Sequence, residues 1–284
     1  MITVLESIKL STDFLAGKGI ESPRTNAELL LGHIIGCKRL DLYLLFDRPL
    51  SGIELQQYRE YIKRRGTFEP LQYILGKVEF YGLELIVNQT VLIPRPETEL
   101  LVENIINQSS KEKESMILDV GCGSGNISIA LAVNLETVNI ITTDIREETL
   151  QVAKANAKKH SVSNRIKFIN HNILENDFNN FPMFDIIVSN PPYVSKENFS
   201  TLQREIKDFE PRTAVTDESD GYTFFKVIAK EAATKLTTNG KLFFEIADGQ
   251  SDGVRKIMEQ NNFDNITVIK DYQKIDRIVY GEIK

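Results

Sequence analysis

Hydrophobic and polar positions follow two different periods along this chain. Over residues 3 to 73, apolar side chains recur every three or four positions, which predicts amphipathic helices. Ser22 with Pro23 and the later Ser51 are typical helix starts, and Gly66 is a typical helix end. The first part of the chain is therefore predicted to be a small helical bundle.

The period changes to two between residues 75 and 91, which predicts a β-hairpin around Tyr81 and Gly82. Residues 92 to 99 then read LIPRPETE, and their two prolines impose an extended entry into a helix that runs to about Asn107. An arginine fixed between two prolines loses conformational freedom, which favours a role in lining a site. We expect the substrate-lining residues to be Arg95, Pro96, Glu97 and Phe80.

From Ser115 onward, predicted strands alternate with predicted helices. The predicted strands are Met116–Val120, Asn139–Thr143, Ile166–Ile169, Phe184–Ser189, Lys241–Ile246, Ile266–Lys270 and Arg277–Tyr280. Helical patterns lie near residues 125–134, 147–160, 219–236 and 251–260. This alternation is typical of a doubly wound α/β sheet, which binds ligands beyond the carboxyl ends of its strands.

A glycine-rich loop, Gly121-Cys122-Gly123-Ser124-Gly125, follows the first of these strands and opens a helix. Its glycines let the backbone approach a ligand closely, and a helix N-terminus favours an anionic group. The next strand ends at Asp144, which is placed to accept hydrogen bonds from ribose hydroxyls. The loop has neither the spacing of a dinucleotide site nor a P-loop lysine, which favours S-adenosylmethionine over NAD or ATP.

The third strand ends near Asn172 and Ile173, which are suited to bind an adenine ring by accepting from its amino group and packing on its face. The alternative for Asn172 is a simple turn residue. Cys122 is most simply a small buried residue, since no base accompanies it in the sequence. The predicted cofactor-binding residues are Gly121, Cys122, Gly123, Ser124, Gly125, Asp144, Asn172 and Ile173.

The fourth strand ends in Ser189-Asn190-Pro191-Pro192-Tyr193. Two consecutive prolines remove two backbone donors and stop the strand, so its last carbonyls turn outward as acceptors. A planar NH2 group could donate to the Asn190 side-chain oxygen and to such a carbonyl, while Tyr193 covers one face. Holding both hydrogens directs the lone pair of a weakly nucleophilic nitrogen toward a methyl donor. The predicted catalytic residues are Asn190, Pro191, Pro192 and Tyr193.

The composition and charge of the chain limit the class of protein and the partners that we expect. With 284 residues, 42% hydrophobic and 26% charged, the chain is predicted to be globular with two domains. A net charge of −6 gives no overall footprint for nucleic acid, and we expect no direct nucleic-acid partner. We find no signal-peptide pattern or membrane-length apolar run, and expect a cytoplasmic monomer without membrane contact. Two cysteines and three histidines lack zinc-ligand spacing, so no metal is expected.

Taken together, these motifs make the chain similar, over nearly its whole length, to the release factor glutamine methyltransferase family known as PrmC or HemK. LIPRPETE is a more specific signature of that family than the glycine loop. Other similar segments are Asn26–Leu31, Arg65–Gly76, Glu210-Pro211-Arg212, Asp220-Gly221 and Glu245-Ile246 followed by Gln250.

The resemblance implies three parts: a release factor-binding helical bundle (residues 1–73), a β-hairpin linker (74–95) and a Rossmann-like class I S-adenosylmethionine-dependent methyltransferase domain (96–284). It implies methylation at N5 of the glutamine in the GGQ motif of class 1 peptide chain release factors, with S-adenosylhomocysteine as the other product. It also implies that Asn190 contacts the cofactor and that residues 190 to 193 hold the target glutamine. At position 172 the family usually has aspartate, and Asn172 keeps only one acceptor oxygen.

Two alternatives stay open at this point. An amino-methyltransferase acting on adenine or cytosine of DNA or RNA would use the same Asn-Pro-Pro-Tyr motif, but the acidic balance and the lack of an inserted basic region disfavour it. A non-catalytic S-adenosylmethionine sensor or ribosome-associated module would keep the glycine loop without needing that motif.

Overall fold

The computed structural model describes residues 2–109 and 112–284, and its internal contacts divide the chain into two compact units. The smaller unit contains the chain up to Lys77 together with Gln203–Phe209. The larger unit contains Val78–Leu202 and Glu210–Lys284.

Helices form the first part of the chain, and strands and helices alternate after them. The smaller unit begins with α1 (Val4–Gly17), α2 (Pro23–Ile35), a 3-10 helix (Arg39–Leu44), α3 (Gly52–Arg65) and α4 (Leu71–Leu75). There follow β1 (Lys77–Phe80), β2 (Leu83–Ile86), α5 (Glu97–Gln108), β3 (Ser115–Val120), α6 (Asn126–Asn134), β4 (Val138–Asp144), α7 (Glu147–Lys159), β5 (Ile166–Asn170) and β6 (Phe184–Ser189). The last elements are α8 (Lys196–Phe199), α9 (Arg204–Phe209), α10 (Arg212–Val215), α11 (Thr223–Lys235), β7 (Leu236–Glu245), α12 (Ser251–Gln260), β8 (Phe263–Lys270) and β9 (Asp276–Ile283).

The smaller unit is a helical bundle with its own apolar core. Thr3 and Ser51 open α1 and α3 with reciprocal capping boxes, because each side chain accepts from the third backbone N–H of its helix. The α9 segment packs within this unit, since buried Arg65 donates to Asn26 Oδ1 (2.7 Å) and pairs with Glu205. The core is formed by buried residues that include Leu15, Leu30, Leu31, Leu42 and Tyr58.

The larger unit contains a seven-stranded sheet of order β5-β4-β3-β6-β7-β9-β8. Its strands are parallel except for β9, which pairs antiparallel with both β7 and β8. The chain order reverses between β3 and β6, so the carboxyl ends of these two neighbouring strands flank the topological switch point. The doubly wound α/β class predicted from the sequence is confirmed.

Side chains on the central strands alternate between two buried layers. Ile117 and Ile186 pack on the α5, α6 and α7 side, whereas Leu118 and Ile187 pack on the α11 and α12 side. This alternation follows from the two-residue period of a strand that is covered on both faces. The layers hold the strand ends, and therefore the loops that follow them, in fixed positions.

Three short helices, α8, α9 and α10, occupy a stretch for which the sequence pattern predicts no helix. The predicted helix near 219–236 begins only at Thr223, because Asp217 accepts from the backbone N–H groups of Gly221 and Thr223 (3.0 Å each) and holds the preceding residues in a loop. The predicted hairpin is present as β1 and β2, joined by Tyr81 and Gly82.

Candidate active site

A cavity of about 290 Å³ opens at the carboxyl ends of β3, β4, β5 and β6 in the larger unit. Loops after each of these strands contribute to its wall, together with the segment before α5 and the α10 region. Ligand pockets in proteins typically start at about this volume. The switch point of the sheet therefore carries a cavity large enough for a small organic ligand.

The glycine loop after β3 is shaped by three residues with positive φ: Gly121 (80°), Gly123 (54°) and Gly125 (80°). A side chain at Gly125 would place its Cβ 3.1 Å from Ala153 Cβ, so the loop lies tightly against α7. Gly121, Cys122, Gly123 and Ser124 line the cavity, whereas Gly125 does not. Ser124 Oγ is buried without a hydrogen-bond partner, which leaves it available to a ligand.

Asp144 lines the cavity at the end of β4. Its two carboxylate oxygens accept from Gly123 N (3.1 Å) and Arg146 N (3.2 Å). Burial raises the pKa of Asp144, and the hydrogen bonds from Arg146 and Gly123 oppose this shift. The carboxylate thereby holds the glycine loop in place and keeps unused acceptor capacity.

Asn172 and Ile173 both line the cavity beyond β5. Asn172 Oδ1 accepts from Leu174 N (3.1 Å), so this residue forms a local turn as well as part of the wall. Ile173 is buried and packs on the sheet core. His171, which no sequence motif singles out, also lines the cavity, and its Nε2 is buried without a partner. Burial lowers the pKa of His171, which favours the neutral ring.

The Asn-Pro-Pro-Tyr segment begins where β6 ends. Ser189 Oγ donates to Val120 O (2.7 Å) and so ties the end of β6 to the end of β3. Asn190, Pro191 and Pro192 line the cavity, and Asn190 Nδ2 donates to Thr98 Oγ1 (3.2 Å). This arrangement brings an amide side chain and two residues without N–H groups next to the glycine loop.

Tyr193 does not line the cavity. Its ring packs against the core on the α11 side, and its hydroxyl lies 3.4 Å from Glu245 Oε1. Its backbone carbonyl accepts from buried Gln250 Nε2 (3.0 Å). The structure thus places the Tyr193 side chain behind the cavity wall, and the expectation that its ring covers a ligand plane stays a prediction.

Of the residues expected to line a substrate site, only Arg95 reaches the cavity wall, and it pairs with buried Glu210 (2.5 Å). Pro96 and Glu97 are exposed at the start of α5 and lie outside the wall. Thr98, the residue after Glu97, is 1% exposed and lines the cavity instead. Phe80 is also outside, because strand alternation in β1 buries its ring in the core against α5 and α6.

The sequence of this chain matches known families and proteins over most of its length. A family described as the PrmC N-terminal domain matches residues 6–76, and one described as the methyltransferase small domain matches residues 96–208. The release factor glutamine methyltransferase of Chlorobaculum tepidum is 40% identical over 284 residues, which cover 97% of this chain and 95% of that protein. The protein of the same name from Fusobacterium nucleatum is 37% identical, covering 98% of this chain and 78% of its own. The chain belongs to the release factor glutamine methyltransferase family.

Solved structures share the fold of this release factor glutamine methyltransferase family member at much lower sequence identity. A methyltransferase from Pyrococcus furiosus matches with a TM-score of 0.51 at 16% identity, covering 72% of this chain and 90% of that chain. The hMettl16 catalytic domain, solved in complex with MAT2A 3'UTR hairpin 6, matches with a TM-score of 0.56 at 16% identity, covering 72% of this chain and 77% of its own. These likenesses show the class I methyltransferase fold.

Two features are absent from the part of this family member that the structure describes. No helix within residues 2–109 and 112–284 is long and apolar enough to cross a membrane. In the same part of the chain, no group of three or more His, Cys, Asp or Glu side chains is arranged to hold a metal ion.

Besides His171, Thr98 at the cavity wall and Glu245 behind it are residues of this family member whose roles the sequence does not indicate. Thr98 lies inside the LIPRPETE signature but carries no distinguishing chemistry on its own. Glu245 is the last residue of β7 and is 3% exposed. It contacts Tyr193, which follows β6, only because β6 and β7 are neighbours in the sheet. Their sole sequence signal is the resemblance of the two segments to the family.

Proposed function

We propose that this chain transfers a methyl group from S-adenosylmethionine to N5 of the glutamine in the GGQ motif of class 1 peptide chain release factors. The observation that carries the proposal is the placement of the Asn190 carboxamide, held by Thr98, at a cavity that the glycine loop also lines. The names of the full-length relatives support the release factor as substrate.

The side chains on the cavity wall fit S-adenosylmethionine. The Asp144 carboxylate can accept from ribose hydroxyls, and Asn172 and Ile173 can contact the adenine from the end of β5. Ser124 Oγ is buried without a partner, and the loop from Gly121 opens α6, so both can serve the amino-acid part of the cofactor. When bound, the cofactor supplies an electrophilic methyl group.

The residues beyond β6 act on the other reactant. An amide nitrogen is a weak nucleophile because its lone pair is delocalised into the carbonyl. With Nδ2 engaged by Thr98, the Oδ1 atom of Asn190 is the end left to accept one substrate N–H, and a carbonyl of the Pro191-Pro192 segment accepts the other. Fixing both hydrogens orients the nitrogen toward the methyl group by positioning and electrostatics, without a strong base.

A labelled methyl-transfer assay tests the proposal. Release factor, a variant with GGA in place of GGQ, duplex DNA and RNA are offered side by side. Methylation of the release factor alone is expected, with none on the GGA variant. Transfer to DNA or RNA, or equal transfer to the GGA variant, would contradict the proposed substrate.

The same assay tests Asn190. Asn190→Ala should lower kcat by about 10² to 10³, the scale for removing one preorganised polar contact, with little change in KM. Asn190→Asp keeps an acceptor and should retain more activity than alanine. Circular dichroism of each variant controls for folding, and a wild-type single-turnover rate for Asn190→Ala would remove Asn190 from the chemistry.

We also propose that residues 1–73 bind the release factor and that residues 96–284 carry the methyl transfer. The helical unit has its own buried core and matches its own family description. It also exposes large aliphatic side chains, among them Leu40, Leu44 and Ile53, which are accessible to a partner protein.

A further inference from the structure

The carboxamide of Asn156 on α7 joins three backbone groups from two separate segments of the larger unit. Its Oδ1 accepts from Ile86 N (2.6 Å), and its Nδ2 donates to Ile86 O (2.9 Å) and to Ser124 O (3.0 Å). Asn156 is fully buried, so water does not compete for these contacts. One side chain therefore connects the last residue of β2 to the glycine loop.

The orientation of the Asn156 carboxamide is fixed by its partners. Ile86 N can only donate, whereas the carbonyl oxygens of Ile86 and Ser124 can only accept. Both hydrogens of Nδ2 and the Oδ1 atom are thus engaged, which requires two donors and one acceptor on a short planar group. Aspartate has the same shape but no donor when it is ionised, and leucine has neither donor nor acceptor. The arrangement therefore depends on the chemistry of asparagine and not only on its size.

The same face of α7 contacts these two segments at further points. Thr149, Ala153 and Asn156 follow one another at helical spacing, so they lie on one face of the helix. A Cβ built on Gly125 would lie 3.1 Å from Ala153 Cβ, which shows how closely the glycine loop packs there. Thr149 Oγ1 donates to Thr90 O (2.9 Å), in the segment after β2. Since the glycine loop and this segment both contribute to the cavity wall, α7 fixes two parts of that wall relative to each other.

The hydrogen bond to Ser124 determines which groups of the glycine loop face a ligand. Asn156 lies outside the cavity wall, whereas Ser124 is part of it. The Ser124 carbonyl oxygen is therefore directed toward α7 and not into the cavity. A carbonyl oxygen that turned into the cavity would bring a partial negative charge toward an anionic group at the start of α6. With the carbonyl held by Asn156, the buried and unpartnered Ser124 Oγ is the polar side-chain atom that this residue offers to a ligand.

We propose that Asn156 is a positioning residue, which acts through the Ser124 carbonyl to hold the glycine loop in the form that binds the amino-acid part of S-adenosylmethionine. This role rests on the proposed function, because it requires that the glycine loop binds this cofactor. It differs from a purely structural attachment of β2 to α7. Loss of the Asn156 carboxamide should weaken cofactor binding without an equal loss in the methyl-transfer step.

A variant of Asn156 is compared with a variant that loosens only β2. Asn156→Ser shortens the side chain and leaves room for water at the three backbone groups. The matched control is His160→Ala, because His160 Nε2 donates to Glu84 O (3.0 Å) and so holds β2 but not the glycine loop. Cofactor affinity is measured by calorimetry, and single-turnover methyl transfer to release factor is measured at saturating S-adenosylmethionine. Circular dichroism shows whether each variant is folded.

We expect Asn156→Ser to weaken S-adenosylmethionine binding at least about 10-fold, with a single-turnover rate at saturating cofactor within about 3-fold of wild type. His160→Ala should bind the cofactor within about 2-fold of wild type. A folded Asn156→Ser protein with wild-type affinity would overturn the proposal. An equal loss of affinity for His160→Ala would also overturn it, because the attachment of β2 would then be responsible.

A second measurement uses the unaltered protein, so it does not depend on whether the variants fold. The side-chain NH2 signals of Asn156 and Asn134 are observed by NMR and assigned from the backbone. Asn134 is the internal control, because its Nδ2 donates to Ala130 O (2.9 Å) at the exposed end of α6. The Asn156 hydrogens should exchange slowly with solvent and should shift when S-adenosylhomocysteine is added, whereas the Asn134 signal should not shift.

Fast exchange of the Asn156 hydrogens would overturn the proposal, and so would an unshifted Asn156 signal at saturating S-adenosylhomocysteine. If the protein shows the slow exchange and the shift but does not methylate release factor, the proposed function fails while the role of Asn156 in cofactor binding stands.

Discussion

Replacing Glu245 by glutamine is expected to stabilise the fold, and to do so more strongly as the pH rises. Glu245 ends β7 in a position that is 3% exposed, and its Oε2 has no hydrogen-bond partner. Burial is the largest cause that raises the pKa of this carboxyl from 4.5 to about 7. The charged form is therefore less stable in the folded protein than in the unfolded chain.

The size of the effect follows from proton linkage. The unfolded chain releases the Glu245 proton near pH 4.5, whereas the folded protein keeps it up to about pH 7. The folded state binds more protons in this window, so the free energy of unfolding falls as the pH rises through it. The full loss above the folded pKa is about 3 kcal/mol, since one pKa unit corresponds to about 1.4 kcal/mol. Glutamine does not ionise, so its advantage over glutamate should grow by about 2 to 3 kcal/mol between about pH 5 and pH 8.

Urea unfolding followed by far-ultraviolet circular dichroism measures this difference, because the chain has no tryptophan to report by fluorescence. Glu282→Gln is the control: the Asn265 hydrogen bond is the main cause that lowers the pKa of Glu282, so this variant should gain nothing at high pH. An advantage of Glu245→Gln that is the same at both pH values would refute the reasoning, since it would show that the folded protein does not raise the pKa of this carboxyl.

Other predictions concern the cofactor, the backbone and the partner. Asp144→Ala should weaken S-adenosylmethionine binding by about 1.5 to 3 kcal/mol in calorimetric titration, and Asp144→Asn by less; an unchanged affinity for alanine would contradict the ribose assignment. Asn172→Asp should bind the cofactor equally or more tightly, and clearly weaker binding would show that adenine is held in another way. Gly221→Ala should lose about 1 to 3 kcal/mol in thermal unfolding, because φ is +85° and the new Cβ would lie 2.6 Å from Tyr193 O, whereas Gly17→Ala, with open space around it, should lose nothing. Hydrogen exchange of the full chain should show protection within residues 1–73 when release factor is added, and protection confined to the cavity would count against docking there.

The central sheet can be predicted closely from the sequence because its strands are covered on both faces. The apolar pattern predicts a strand over residues 184 to 189, and the structure has the same bounds. The pattern places the start of β7 at Lys241, although the strand begins at Leu236, because the polar stretch from Thr237 to Gly240 carries no apolar signal. There the strand is held by its pairing with β6, which includes a register shift after Phe184.

The candidate site is only partly predictable from the sequence. Features that depend on a few neighbouring residues can be predicted, whereas contacts between residues far apart in the chain cannot. The glycine loop is recognisable because a positive φ is a local property that glycine records directly. The Tyr193 hydroxyl lies near Glu245 only because β7 lies beside β6 in the sheet, and Arg95 pairs with Glu210 across 115 positions of the chain. Contacts of this kind depend on the complete fold, so no local sequence pattern around these residues indicates them.

Because α9 belongs to the helical unit, that unit cannot be completed until α9 has been synthesised. The 125 residues from Val78 to Leu202 separate the first part of that unit from its last segment. At about 5 to 20 residues per second, a ribosome needs roughly 6 to 25 seconds to synthesise them. During this time Arg65 in the nascent helices lacks Glu205, its carboxylate partner. The bundle that leaves the ribosome first is thus completed only after most of the sheet has been translated.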